Sequence, residues 1–129
     1  MTGTKRDLIK YRIERARDTL DDARILVENH KWNSAINRLY YAAYYAVIAL
    51  LLQNEHKPTT HNGAKSQFSE HFIKTGIFSE EYGKLYSQLF TWRQKGDYVD
   101  LFDFTEEIVL PYIEPVENFL NLVENRLNQ

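Results

Sequence analysis

Cysteine does not occur in this chain, which removes disulfides, thiolate nucleophiles and cysteine-ligated zinc sites. That absence fits a reducing compartment. Glycine and proline are scarce, 5 and 3 in 129 residues, too few for the many turns of an all-β fold. The glycines are also scattered, so the chain has no glycine-rich loop to cradle phosphates and no nucleophile elbow. The longest apolar run, Leu39 to Leu52, is shorter than the ~20 residues of a spanning helix and reads as a buried core helix. No membrane association is expected from it. The charged opening from Met1 to Arg6 carries no apolar leader, and the cytoplasm is the expected compartment. His30, His56, His61 and His71 form no zinc signature. Asp97, Asp100 and Asp103 could hold a cation, but they lack the spaced donor pattern of a calcium loop and read as a solvated, helix-capping run. Neither a metal nor a cofactor is expected.

What is present is an ordinary globular mixture, 43% hydrophobic and 26% charged, long enough for one continuous core. Residues 1–129 are therefore read as a single domain. Helical periodicity runs through nearly all of it. Ile9, Ile13, Ala16, Leu20, Ala23 and Val27 predict a first helix over about Lys5 to Asn29. A second, over Trp32 to Gln53, is apolar on both sides, with Ile36, Leu39, Ala43, Val47 and Leu50 opposite Tyr41, Tyr45, Ile48 and Leu52. A helix that is apolar all round must be covered all round, so this one should be central, with one face at a dimer seam. Thr60 can cap a third helix reaching about Lys74, with Gly76 as its stop. Ser79 can cap a fourth that ends at Gly96. After a connection over Asp97 to Asp103, Asp103 and Glu106 resemble a capping box, and the fifth helix runs to about Leu127 with kinks at Pro111 and Pro115. The fold class expected is all-α, a four- to five-helix up-and-down bundle.

Charge is unevenly spread although the net is only −2. Residues 1–17 carry Lys5, Arg6, Lys10, Arg12, Arg15 and Arg17 against Asp7 and Glu14, a balance of +4. Residues 97–129 have a balance of −7. The basic start either tracks phosphates or is a solvated helix face. Arg93 follows Tyr82, Tyr86 and Leu89 on one helical face, which brings its guanidinium near buried surface, where it needs a partner. The alternative is a helix-end cation that bonds free carbonyls. Arg38 stands beside Tyr40, Tyr41, Tyr44 and Tyr45, a cluster of core and interface type that could also stack bases.

These residues resemble a known family. Ala35, Arg38, Tyr40, Tyr41, Ala42, Ala43 and the run Ala49-Leu50-Leu51 are similar to the second-helix signature of HEPN domains (higher eukaryotes and prokaryotes nucleotide-binding). Thr60-His61-Asn62-Gly63, with Phe68, Phe72 and Lys74-Thr75-Gly76, resembles the third-helix pattern of a small prokaryotic subgroup. Arg93-Gln94-Lys95-Gly96-Asp97-Tyr98 occupies the place of the functional motif. The likeness covers roughly residues 5 to 127. It implies a helical bundle that forms a homodimer and either binds nucleotides or RNA, or acts as a metal-independent ribonuclease toxin. It also implies a minimal nucleotidyltransferase partner in a toxin–antitoxin pair.

In ribonuclease members the motif is Arg, four to six residues, then His. Arg93 matches the arginine, but Tyr98 stands where the histidine would be, and no histidine follows. A phenol with a pKa of about 10 is a poor general base at neutral pH. On this reading, Arg38, Tyr41, Arg93, Asp97 and Tyr98 line a ligand cleft, and Arg93, Tyr98 and His61 are the catalytic candidates. Tyr98 would bond the ligand or accept a modification from the nucleotidyltransferase. Three functions remain open: a binding module, a ribonuclease working through His61 or Tyr98, and a structural interaction module. The missing motif histidine predicts negligible RNA cleavage.

Overall fold

The structure, a computed structural model, describes residues 3–129. Met1 and Thr2, part of the stretch read for a leader, lie outside the described residues. Helix α1 spans Lys5–Glu28, α2 Trp32–Gln53, α3 His61–Phe68, α4 Glu80–Tyr98, α5 Glu106–Val109 and α6 Ile113–Leu127. No strand occurs among the described residues. The result is the expected all-α bundle.

Local chemistry explains most of the helix ends. The Thr4 hydroxyl accepts from the Asp7 amide while the Asp7 carboxylate accepts from the Thr4 amide, a reciprocal cap that starts α1. The Thr60 hydroxyl accepts from the Gly63 amide at 2.8 Å and starts α3. Gly76 stands at φ +79°, the left-handed conformation that suits glycine, and turns the chain towards α4. The third helical segment reaches Ile73, as its periodicity predicts, but after Phe68 it widens into a π-helical stretch over Ser69–Ile73. Within that stretch His71 stacks on His56, with ring centroids 3.9 Å apart.

Two expected boundaries move, and one stays in place without its expected side-chain cap. Helix α4 does not stop at Gly96 but runs on to Tyr98. Gly96 serves packing there, because a Cβ at this position would come within 2.9 Å of the Phe104 ring. Asp103 and Glu106 form no capping box. The Asp103 carboxylate instead accepts from the Asn33 side chain at 3.1 Å, and α5 starts after Thr105. Ser79 precedes α4, but its hydroxyl points to Glu81 rather than to a backbone amide. Pro111 acts as expected, in a 3-10 turn over Leu110–Tyr112 that separates α5 from α6, whereas Pro115 is accommodated in the first turn of α6, which runs on unbroken.

Helix α2 is the axis. It packs against α1, α3, α4, α5 and α6. It is long and apolar enough to cross a membrane by length and composition, yet most of it is buried inside the bundle. Ala35, Leu39, Ala42, Ala43, Ala46, Val47 and Leu50 are fully buried, and the alanines let neighbouring helices approach closely. One hydrophobic cluster joins these residues to Leu20 of α1, Phe68 of α3, Leu89 of α4 and Leu120 of α6. Along the α1–α2 hairpin, Lys5 meets Glu55 and Arg15 meets Tyr45, pairs that lie symmetrically about residue 30. Arg17 and Arg24 bind Glu124 and Glu117, which sets α6 antiparallel to α1. Part of the basic start is thus spent on the acidic end.

Candidate functional site

Four tyrosines of α2 project from consecutive turns at Tyr40, Tyr41, Tyr44 and Tyr45, and arginines from three helices close on them. Arg93 of α4 places its guanidinium carbon 5.2 Å from the Tyr40 ring centre and 5.6 Å from that of Tyr41. Arg38 lies 5.1 Å over Tyr41, and Arg15 of α1 5.2 Å over Tyr45. Each such contact contributes about 0.5–1 kcal/mol when exposed and about 2 when desolvated. Arg38 also donates twice to the Asn37 side-chain oxygen, at 3.2 and 2.7 Å, which holds its fork in place.

Arg93 is nearly buried, its side chain 15% exposed. Its Nε faces Asp97 at 3.6 Å, an ion-pair distance too long for a hydrogen bond, and the atom has no hydrogen-bond partner. The helix-end alternative weakens accordingly: α4 continues for more than a turn beyond Arg93, and the last-turn cation is Lys95. Arg12 of α1 repeats the pattern with a buried Nε that bonds nothing, and its charge reaches Tyr44.

His61 joins this cluster. As the first residue of α3 it approaches α2, where its Nδ1 lies 2.7 Å from the Tyr40 hydroxyl and its ring stacks on Tyr44 at 4.4 Å. Burial, and then the positive charge of Arg93, lowers its pKa, so the imidazole is neutral at pH 7. Burial pushes the Tyr40 hydroxyl up to about 12. Tyr86, fully buried beside Tyr40, is raised further by burial, and its hydroxyl makes no hydrogen bond of good geometry.

Arg38, Tyr41, Arg93 and His61 therefore share one face, with Asp97 at its edge. Tyr98 does not lean on it. The last residue of α4, it is 77% exposed and makes no ring contact or hydrogen bond with the cluster among the described residues. Beside Arg93 and Arg38 a groove of about 550 Å³ opens between α2 and α4, with Asn37 and Asp97 at its edges and Trp92 and Phe104 in its wall. Sequence reasoning overlooked Arg12 and Arg15 as site residues. The short link at residues 29–31 held the signal, because it folds α1 back on α2 and brings Arg15 opposite Tyr45. No group of three or more His, Asp or Glu could hold a metal ion among the described residues.

The fold is an all-α bundle built on a buried axial helix, with arginines ringing its tyrosines. A sequence model of the HEPN domain matches residues 9–126. The chain belongs to the HEPN domain family. It is 42% identical over 120 residues to a UPF0332 protein of Thermotoga maritima, covering 93% of this chain and 91% of that one. Two proteins of Methanocaldococcus jannaschii, each bearing the name "Putative toxin", are 32% and 31% identical. Those matches cover 96% and 95% of this chain, and 92% and 83% of the respective relatives.

Proposed function

We propose that this HEPN module binds the phosphate backbone of a nucleotide or single-stranded RNA on the arginine–tyrosine face, as a cytoplasmic homodimer and as one half of a toxin–antitoxin-like pair. The observation that carries the reading is Arg93, a nearly buried guanidinium whose Nε bonds nothing and whose nearest carboxylate is 3.6 Å away. An underpartnered buried cation is costly, and an arriving phosphate supplies the missing acceptors in the geometry a guanidinium prefers. Arg12, Arg15 and Arg38 extend the positive surface, and half-exposed Tyr41, Tyr44 and Tyr45 offer ring faces on which bases stack.

The toxin names of the relatives support the second half of the proposal. The partner that suits this chain is a minimal nucleotidyltransferase, and the apolar tip formed by Tyr98, Val99 and Leu101 at the exposed end of α4 is the surface we assign to it. The dimer seam we assign to α2 and α1, where half-buried Ile48 and Leu52 run beside exposed Leu8 and Tyr11.

The test is binding of a 2′-O-methyl single-stranded RNA, which cannot be cleaved through its 2′-oxygen. Arg93→Lys keeps the charge and loses the planar fork. Affinity should fall about tenfold or more, ~1.4 kcal/mol, with the melting temperature little changed. A collapse in melting temperature with unchanged binding per folded molecule would instead make Arg93 a packing residue.

A further inference from the structure

We propose that the groove between α3 and α4 is a second phosphate subsite, which carries single-stranded RNA onward from Arg93 and makes the ligand a strand rather than a lone nucleotide. The inference rests on the phosphate-binding reading above and narrows it.

The groove has a volume of about 600 Å³ and is lined by Lys65, Lys74 and Lys84. Phe68 and Tyr86, both almost fully buried, form its floor. The two helices that make it run antiparallel. His61 and Arg93 meet at the Tyr40 ring, Lys65 lies 5.1 Å over Phe90, and Phe68 meets Tyr86 at 5.5 Å. Lys65 therefore stands one turn along α3 from His61, at the end of the groove nearest Arg93. Helical rise makes that step about 6 Å, within the reach of one extended nucleotide. A single aromatic layer divides groove from face: the Tyr86 ring stacks at 6.0 Å on Tyr40, the ring that Arg93 covers.

The three lysines have no carboxylate partner. Glu70 precedes Lys74 by four residues and Glu80 precedes Lys84 by four, the order and spacing that favour an ion pair on an α-helix. Neither pair is closed, and among the described residues every ion pair forms elsewhere. For Lys74 the π-helical stretch over Ser69–Ile73 supplies a reason, since its wider turn breaks the four-residue alignment. Both glutamates also lie in the half of the groove away from Arg93. The near half, with Lys65, Ser66 and Ser87, contains no carboxylate. A phosphate there meets the Lys65 and Lys84 ammonium groups as mobile point charges and the two serine hydroxyls as donors. A mononucleotide held by Arg93 leaves these cations unneutralised, whereas a strand that runs along α3 neutralises them and releases its counterions.

The experiment measures binding of a 2′-O-methyl dinucleotide and of a 2′-O-methyl octanucleotide to the full-length chain over a series of salt concentrations. The octanucleotide should bind more tightly and with the steeper salt dependence. In Lys65→Ala/Lys84→Ala two phosphate contacts are lost, so the slope of log affinity against log salt for the octanucleotide should become shallower by about 1.4. Dinucleotide binding should stay as in the wild type. Lys65→Arg/Lys84→Arg keeps both charges and should keep the wild-type slope. Lys31→Ala/Lys57→Ala removes the same charge from exposed positions outside the groove and should leave the slope unchanged. An unchanged octanucleotide slope in Lys65→Ala/Lys84→Ala overturns the proposal. An equal loss in the Lys31→Ala/Lys57→Ala protein also overturns it, because the attraction is then diffuse. Either result leaves the Arg93 reading standing if Arg93→Lys still weakens the dinucleotide. Failure of both oligonucleotides to bind the wild type removes both readings.

Discussion

Arg93 and His61 rest on shared tyrosine rings, and their charges oppose each other. Burial, and then the guanidinium nearby, favours the neutral form of His61 over the protonated one. The lowered pKa of His61 has a consequence for folding. The unfolded chain binds the proton more readily than the folded one, so stability is complete above about 6.5 and is lost as pH falls through that value towards the lower folded pKa. Chemical denaturation followed between pH 8 and 5 should show this acid loss, and His61→Gln should flatten its share of it. An unchanged pH dependence in the variant would mean that His61 is not held neutral by its surroundings. Tyr98 lies at the opposite extreme. Its side chain is largely in water, so Tyr98→Phe should leave stability within about 0.5 kcal/mol, the usual range for a surface substitution.

The connection between α4 and α5 hangs on one side chain of α2. The Asn33 oxygen accepts from the Phe104 amide at 2.8 Å, and its amide nitrogen donates to Asp103 at 3.1 Å. The pin presses Phe104 under Gly96, where it meets Trp92 and Phe102. Asn33→Ala leaves the Phe104 amide without its partner and should cost about 1–3 kcal/mol by thermal or chemical denaturation. Gly96→Ala tests the same joint from the other side. Alanine favours the helix by about 1 kcal/mol. A Cβ 2.9 Å from a ring that cannot retreat adds an overpacking cost of about 1–3 kcal/mol, so net destabilisation is expected. A more stable Gly96→Ala protein would show that the joint yields. Both changes should also weaken RNA binding, because the groove beside Arg93 is walled by Phe104.

Assembly is the next level. The face of α2 that the other helices leave half-open carries Tyr41, Tyr44, Tyr45, Ile48 and Leu52 at helical spacing, beside exposed Leu8 and Tyr11 of α1. A two-fold pair would bury the Ile48, Leu52, Leu8 and Tyr11 strip of this surface against its own copy and leave the tyrosine rings of two arginine–tyrosine clusters open beside the seam. Sedimentation at micromolar concentration should give about twice the 15.3 kDa chain mass. Ile48→Glu, a charge in the middle of the strip, should give monomers that remain helical. A wild-type chain that stays monomeric at millimolar concentration would remove this seam.

The helices and their order were legible along the chain because apolar periodicity is a local property, and so was the central place of α2, which is apolar on every side. The cap at Thr60 and the left-handed turn at Gly76 were equally local, each needing only a hydroxyl or a missing Cβ; the Thr4 cap was as local, though the sequence reading did not single it out. The near-burial of Arg93 could be read from its place on an apolar face. Three things could not. Gly96 looked like a helix stop, but Phe104, eight residues on, gives it its meaning. Asp103 looked like a cap, but Asn33, seventy residues away in sequence, binds it first. His61 belonged to no motif with Arg93, because thirty-two residues and two helix ends separate them. Only the packing of α3 and α4 on the same tyrosines of α2 brings the neutral imidazole and the buried guanidinium together, since helical periodicity sets which way each residue faces but not which helix lies opposite.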